Sequence, residues 1–154
     1  ANLFLARNVE VDAEVVKILD FGVAKILAGA GESETLPGLL VGSPTTMSPE
    51  QITGDHPVDA RSDLFSLACV LYRCLLGRSA FRADDVPSTL ALVARGAYDP
   101  PSRVAHHVPK RIDDFFARAL AVDPDARFAT ASELASAFEA AVLPTGPARS
   151  GLHL

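Results

Sequence analysis

The chain has 154 residues and a formal net charge of −5; hydrophobic residues make up 49% of it and charged residues 21%. That balance is globular rather than disordered, suffices to bury a core within one domain or part of one, and argues against a nucleic-acid-binding surface. No apolar run reaches the length of a membrane span and no signal peptide opens the sequence, which excludes a membrane segment within the chain and favours a cytoplasmic, reducing setting, with a membrane tether elsewhere in a full-length protein left open.

The elements follow in chain order. Leu3-Phe4-Leu5 predicts a short strand, residues 7 to 14 read as polar and turn-like, and the β-branched run Val15 to Leu19 predicts a second strand. Together they form a small antiparallel hairpin. The second strand stops at Asp20-Phe21-Gly22. The stretch "GAGESETLPGLL" from Gly29 to Leu40 has no periodicity, and loops of that length are usually functional or disordered.

From Ser48 the pattern turns helical. "SPEQITG" predicts a short helix with Ser48 as N-cap, Pro49 in the first position, Gln51 completing a capping box and Gly54 as terminator. Ser62 to Leu76, ended by Gly77, is apolar almost all round, which predicts a helix buried on every side. Its cysteines, Cys69 and Cys74, are expected to be reduced core residues. Pro87 to Arg95 predicts a shorter helix. Pro109 to Leu120 is amphipathic, with Ile112, Phe115, Phe116, Ala119 and Leu120 facing inward. Thr130 and Glu133 open a last helix whose inner stripe is Leu134, Phe138 and Ala141. His106 and His107 fall in a proline-flanked loop and are expected to be solvated. Residues 144–154 have the composition of a flexible tail.

Asp20-Phe21-Gly22 alone could be a simple strand-end turn. Its context is more informative. Downstream come "GSPTTMSPEQ" (Gly42 to Gln51), "SDLFSLACVLYRCLLG" and "DPDARF" (Asp123 to Phe128), and upstream Asn2 opens the first strand. In this order the set resembles the C-terminal lobe of a protein kinase, of the eukaryotic-like bacterial serine/threonine type, from Asn2 to about Leu143. The Ala- and Arg-rich composition without tryptophan agrees with a bacterial source. The implied fold is mainly α: a small antiparallel hairpin followed by a helical bundle, being a fragment of an α+β domain, with residues 1–143 as a partial kinase domain.

The resemblance also implies roles. Asp20 is the magnesium ligand that bridges to the phosphates of ATP, and Asn2 holds a second metal; Phe21 and Gly22 let the carboxylate swing. Magnesium takes hard oxygen ligands, which both residues offer. Ser43 matches the threonine that touches the catalytic aspartate and helps set the preference for serine or threonine hydroxyls in protein substrates. Thr46 stands where a tyrosine is common, which puts docking of the substrate there in question. Asp63 matches the aspartate that holds the catalytic loop; read without the resemblance, it is an ordinary first-turn aspartate favoured by the helix dipole. Glu50 and Arg127 match a buried ion pair, against the alternative of two exposed charges. Ser33 and Thr35 are candidate phosphorylation sites in the glycine-rich loop, which could equally be plain solvated loop. Ala80 departs from a proline common in the family.

The catalytic aspartate of the family precedes Asn2 by five positions and falls before Ala1. The strand lysine, its glutamate partner and the glycine-rich nucleotide loop have no counterpart in the sequence either. The resemblance therefore implies a fragment that is inactive taken alone. Three readings stay open: a piece of an active serine/threonine kinase, a piece of a pseudokinase acting as a binding module, and an independent all-α interaction domain. The third has no need of an aspartate hinge at a strand end.

Overall fold

The computed structural model describes residues 3–8, 13–18 and 43–143. The expected loop 29–40 and tail 144–154 lie outside the described residues. The chain divides into two compact units, residues 1–42 and residues 43–154.

In the first unit, strands β1 (Leu3–Asn8) and β2 (Ala13–Ile18) pair antiparallel, with Leu3 opposite Ile18 and Asn8 opposite Ala13. Each strand runs into the stretch 7–14 that the sequence suggested was a turn. The register accounts for the extension: Arg7 lies directly opposite Glu14, and opposite charges across a pair favour continued pairing.

The second unit is helical. Helix α1 (Pro49–Thr53) is followed by α2 (Ala60–Leu76), α3 (Val86–Ala94), α4 (Pro101–Val104), α5 (Lys110–Ala119), a single 3₁₀ turn (Pro124–Ala126) and α6 (Ala131–Val142). Helix α5 packs against α2, α4 and α6, and α1 packs against α3. The mainly α character, a hairpin and then a bundle, is the one expected. Among the described residues no helix is long and apolar enough to cross a membrane.

The helix ends follow local chemistry. At α1 the Gln51 Oε1 accepts from the Ser48 N–H at 2.9 Å, and Gly54 closes the helix at φ +72°, a left-handed angle that glycine takes without steric cost. Helix α2 begins two residues before the expected Ser62, because Asp59 caps it by accepting from the Arg61 N–H at 2.8 Å. Helix α3 is capped by Asp85 and begins at Val86, one residue early. At α6 the Thr130 hydroxyl oxygen accepts from the Glu133 N–H as expected, while the Glu133 carboxylate reaches back to Ala129 N–H rather than to the cap itself.

The expectation that α2 is buried on every side does not hold. It buries Ser62, Leu64, Phe65, Ala68, Cys69 and Tyr72. Leu67 and Cys74 are exposed, and Val70, Leu71, Leu75 and Leu76 are half-buried. Five residues of helix turn a side chain by about 140°, so Cys74 cannot share the inward face of Cys69. The reading of Cys74 as a core residue is thereby corrected, and that of Cys69 stands. His106 and His107 are exposed.

A continuous aromatic chain fills the centre. Phe65 stacks on Phe81, Phe81 meets Tyr98 edge-on, Tyr98 meets Tyr72, and Tyr72 meets Phe116 with ring centroids 5.3 Å apart. Phe116 continues to Phe115, which touches both Phe128 and Phe138. Such offset and edge contacts add to burial. The Tyr72 hydroxyl, deep in this core, donates to the Asp99 carbonyl at 2.7 Å and so is not left unpaired. Ala80, in the place of the family's proline, is half-buried against the same cluster.

Candidate functional site

Of the residues given roles by resemblance, Asn2, Asp20, Phe21, Gly22, Ser33 and Thr35 lie outside the described residues. Ser43, Glu50, Asp63 and Arg127 are described, and two of them meet.

Residues 43–46 form a turn. The Thr46 N–H donates to the Ser43 carbonyl at 3.0 Å, and the Thr46 hydroxyl donates to the same oxygen at 3.2 Å. The hydroxyls of Ser43 and Thr45 lie 3.1 Å apart within hydrogen-bonding reach. Ser43 is exposed. The chain then dives inward: Ser48, Pro49 and Glu50 are all buried.

Glu50 is held by Arg127. The two guanidinium nitrogens donate to the two carboxylate oxygens at 2.8 and 2.7 Å, a bidentate fork, and both side chains are 1% exposed. The Ser62 hydroxyl donates to Glu50 Oε1, and Arg127 donates further to the carbonyls of Ala121 and Val122 at 2.8 and 2.9 Å. The guanidinium also lies over the Phe65 ring, 4.9 Å from its centroid. Burial by itself would raise the Glu50 carboxyl, but the hydrogen bonds from Arg127 and Ser62 together outweigh it and hold the group down at about 2.

The segment "DPDARF" makes this possible. Asp123 caps the 3₁₀ turn by accepting from the Asp125 N–H at 2.8 Å, and Pro124 is buried in the first position. Asp125 then faces solvent and pairs with Arg61, which also grips Asp59 at 2.9 Å. Two residues on, Arg127 turns inward to Glu50, and Phe128 is buried beneath Arg118, whose guanidinium lies 4.2 Å from the ring centroid. One short motif thus ties the starts of α1 and α2 to the helical base from both sides. The sequence reading missed Arg61, Asp125 and Ser62, since ordinary polar residues at helix starts carry no distinguishing pattern.

Asp63 is exposed in the first turn of α2, and its carboxylate makes no hydrogen bond or ion pair with any described residue. Among the described residues no group of three or more His, Cys, Asp and Glu could hold a metal ion. The donors suited to magnesium by chemistry, an amide carbonyl at Asn2 and a carboxylate at Asp20, belong to the part outside the described residues.

A family model, described as protein kinase domain, matches residues 1–138. The chain belongs to that family. The serine/threonine-protein kinase PknB of Mycolicibacterium smegmatis is 39% identical over 134 residues, which cover 87% of this chain and 20% of that protein. The serine/threonine-protein kinase Pkn1 of Myxococcus xanthus is 37% identical over 141 residues, covering 92% and 20%. A probable serine/threonine-protein kinase PknB of Bifidobacterium longum is 40% identical over 119 residues, covering 77% and 17%. The chain spans about a fifth of the length of these relatives. The turn at residues 43–46 thus leads directly into buried Ser48 and into helix α1, whose Glu50 is anchored to Arg127.

Proposed function

We propose that the chain is part of the C-terminal lobe of the catalytic domain of a serine/threonine protein kinase that transfers the γ-phosphate of ATP to serine or threonine hydroxyls of protein substrates. The observation that carries this reading is the clamp on the Ser43–Glu50 segment, because phosphoryl transfer is mostly a matter of positioning and charge stabilisation. A substrate hydroxyl must be held in line with the phosphate, and a surface held by a buried ion pair can do that. In this reading Asn2 and Asp20 hold magnesium, which when bound draws charge from the β- and γ-phosphates. Phe21 and Gly22 form the hinge for Asp20. Ser43 steers the choice of acceptor hydroxyl, and Asp63, exposed with no described partner, holds the catalytic loop. Ser33 and Thr35 are sites at which phosphorylation would order the loop. The acceptor oxygen attacks the γ-phosphorus, its proton leaves to a base, and ADP departs. The residues 1–154 alone are expected to be inactive, since no base, phosphate-pairing lysine or nucleotide loop is among them.

The test is a complete domain assembled from this segment and the N-terminal lobe and catalytic loop of the Mycolicibacterium relative. It should phosphorylate a generic basic protein from labelled ATP, and Asp20→Asn should abolish transfer while leaving the fold intact. Removing the charge but keeping the shape isolates the metal-binding role. ATP binding without transfer would favour a pseudokinase, and near-normal turnover by Asp20→Asn would make that residue a simple turn aspartate.

A further inference from the structure

Ser66 lies in the middle of α2, half-buried, one turn after Ser62. A serine within a helix commonly turns its hydroxyl back to the carbonyl four residues before it. Ser66 instead donates across to the Thr46 carbonyl at 2.7 Å, spanning 20 residues of sequence. Among the described residues this is the single hydrogen bond that ties residues 43–47 to another element; the rest of the turn's bonds close on Ser43 and Thr45.

The consequence is geometric. The peptide plane is rigid and trans, so its C=O and N–H point in opposite directions, and no cis bond occurs among the described residues. Tying the Thr46 carbonyl to α2 therefore turns the Met47 N–H away from the helix. That N–H has no partner among the described residues. The Thr46 hydroxyl closes the turn on the Ser43 carbonyl, whereas the tie from the turn to α2 comes from Ser66.

We propose that Ser66 is a positioning residue for protein-substrate docking: its hydroxyl fixes the plane of the Thr46–Met47 peptide and so presents the Met47 N–H to a carbonyl of the bound substrate chain. The proposal rests on the functional reading above. It differs from the Glu50–Arg127 clamp, which anchors the segment further along, after the turn has ended.

The experiment uses Ser66→Ala in the assembled domain, with peptide substrate and ATP varied separately. Loss of one hydrogen bond is expected to raise KM for the peptide about five-fold, in keeping with the modest net worth of a neutral bond. KM for ATP and the melting temperature should stay near those of the unaltered domain. An unchanged peptide KM overturns the proposal. So does a parallel rise in both KM values with a fall in melting temperature, which would make Ser66 merely structural. The unaltered domain is the control: no transfer by it overturns the functional reading, and the docking role with it. Amide exchange at Thr46, whose N–H the turn holds on the Ser43 carbonyl, then tests the tether by itself. Faster exchange in Ser66→Ala supports it, and unchanged exchange refutes it.

Discussion

The guanidinium of Arg127 closes on the carboxylate of Glu50 across 77 residues of sequence, and neither side chain is open to water. A pair so placed has little net worth against a well-packed apolar substitute, yet breaking it is expensive, because the survivor is left charged and buried. Arg127→Ala is expected to cost about 3–5 kcal/mol of stability for that reason. Glu50→Gln should cost less, since it keeps acceptor geometry for one arm of the fork. A double-mutant cycle by urea unfolding should show strong coupling between the two positions, and additive losses would mean that they act independently.

The same carboxylate predicts an acid limb. Glu50 is held at about 2 in the folded chain against an ordinary value of 4.5. A depressed folded value means that the unfolded chain binds more protons, so stability rises with pH across this window. The contribution is complete above about pH 5 and is lost as pH falls towards 2; its size is about 3 kcal/mol at 1.36 kcal/mol per unit. Unfolding measured across that range should slope downward towards acid in the unaltered chain. In Glu50→Gln the slope should flatten, and an identical slope would remove Glu50 as its source.

Helix α6 ends on a cation from another helix. Arg111 of α5 donates to the Ala141 carbonyl at 2.7 Å and to the Leu143 carbonyl at 2.9 Å. The last carbonyls of a helix lack internal partners and carry the negative end of its dipole. Arg111→Ala should therefore cost about 1–2 kcal/mol and fray the end of α6. Amide exchange should accelerate in residues 139–143 and remain unchanged in α2.

Two glycines should respond differently to alanine. Gly54 and Gly96 both have positive φ, 72° and 61°. A Cβ at Gly54 would meet open space, whereas at Gly96 it would come within 2.9 Å of a Val122 methyl. Gly54→Ala should cost about 1–2 kcal/mol, from backbone strain alone. Gly96→Ala adds a steric clash and should lower the melting temperature further, and a second change, Val122→Ala, should recover part of the loss.

The two cysteines should differ in reactivity. Cys69 is buried and its thiol is pushed up to about 12 by burial, while Cys74 is exposed. Because the thiolate is the reacting form, a maleimide should label Cys74 in the folded chain and reach Cys69 only when the chain unfolds. Mass spectrometry after brief labelling distinguishes one adduct from two.

Much of the local structure was legible in the residues. Ser48, Pro49, Gln51 and Gly54 delimit α1, Thr130 opens α6, and the spacing of Ile112, Phe115, Phe116 and Ala119 marks the inward face of α5, because caps and periodicity act over a single turn of chain. The motifs from Asp20 to Phe128 likewise indicated the kinase family, and the family match is consistent with them. Tertiary structure decided what depends on distant neighbours. Apolar character all round α2 said nothing of which side would be covered, and Leu67 and Cys74 remained outside. Nor could spacing show that Ser66 would forgo its own helix for the Thr46 carbonyl, or that Arg61 would bridge Asp59 and Asp125. The physical reason is the same in each case. A hydroxyl or guanidinium has several partners of nearly equal worth, and only the packing of the whole unit selects which of them comes within reach.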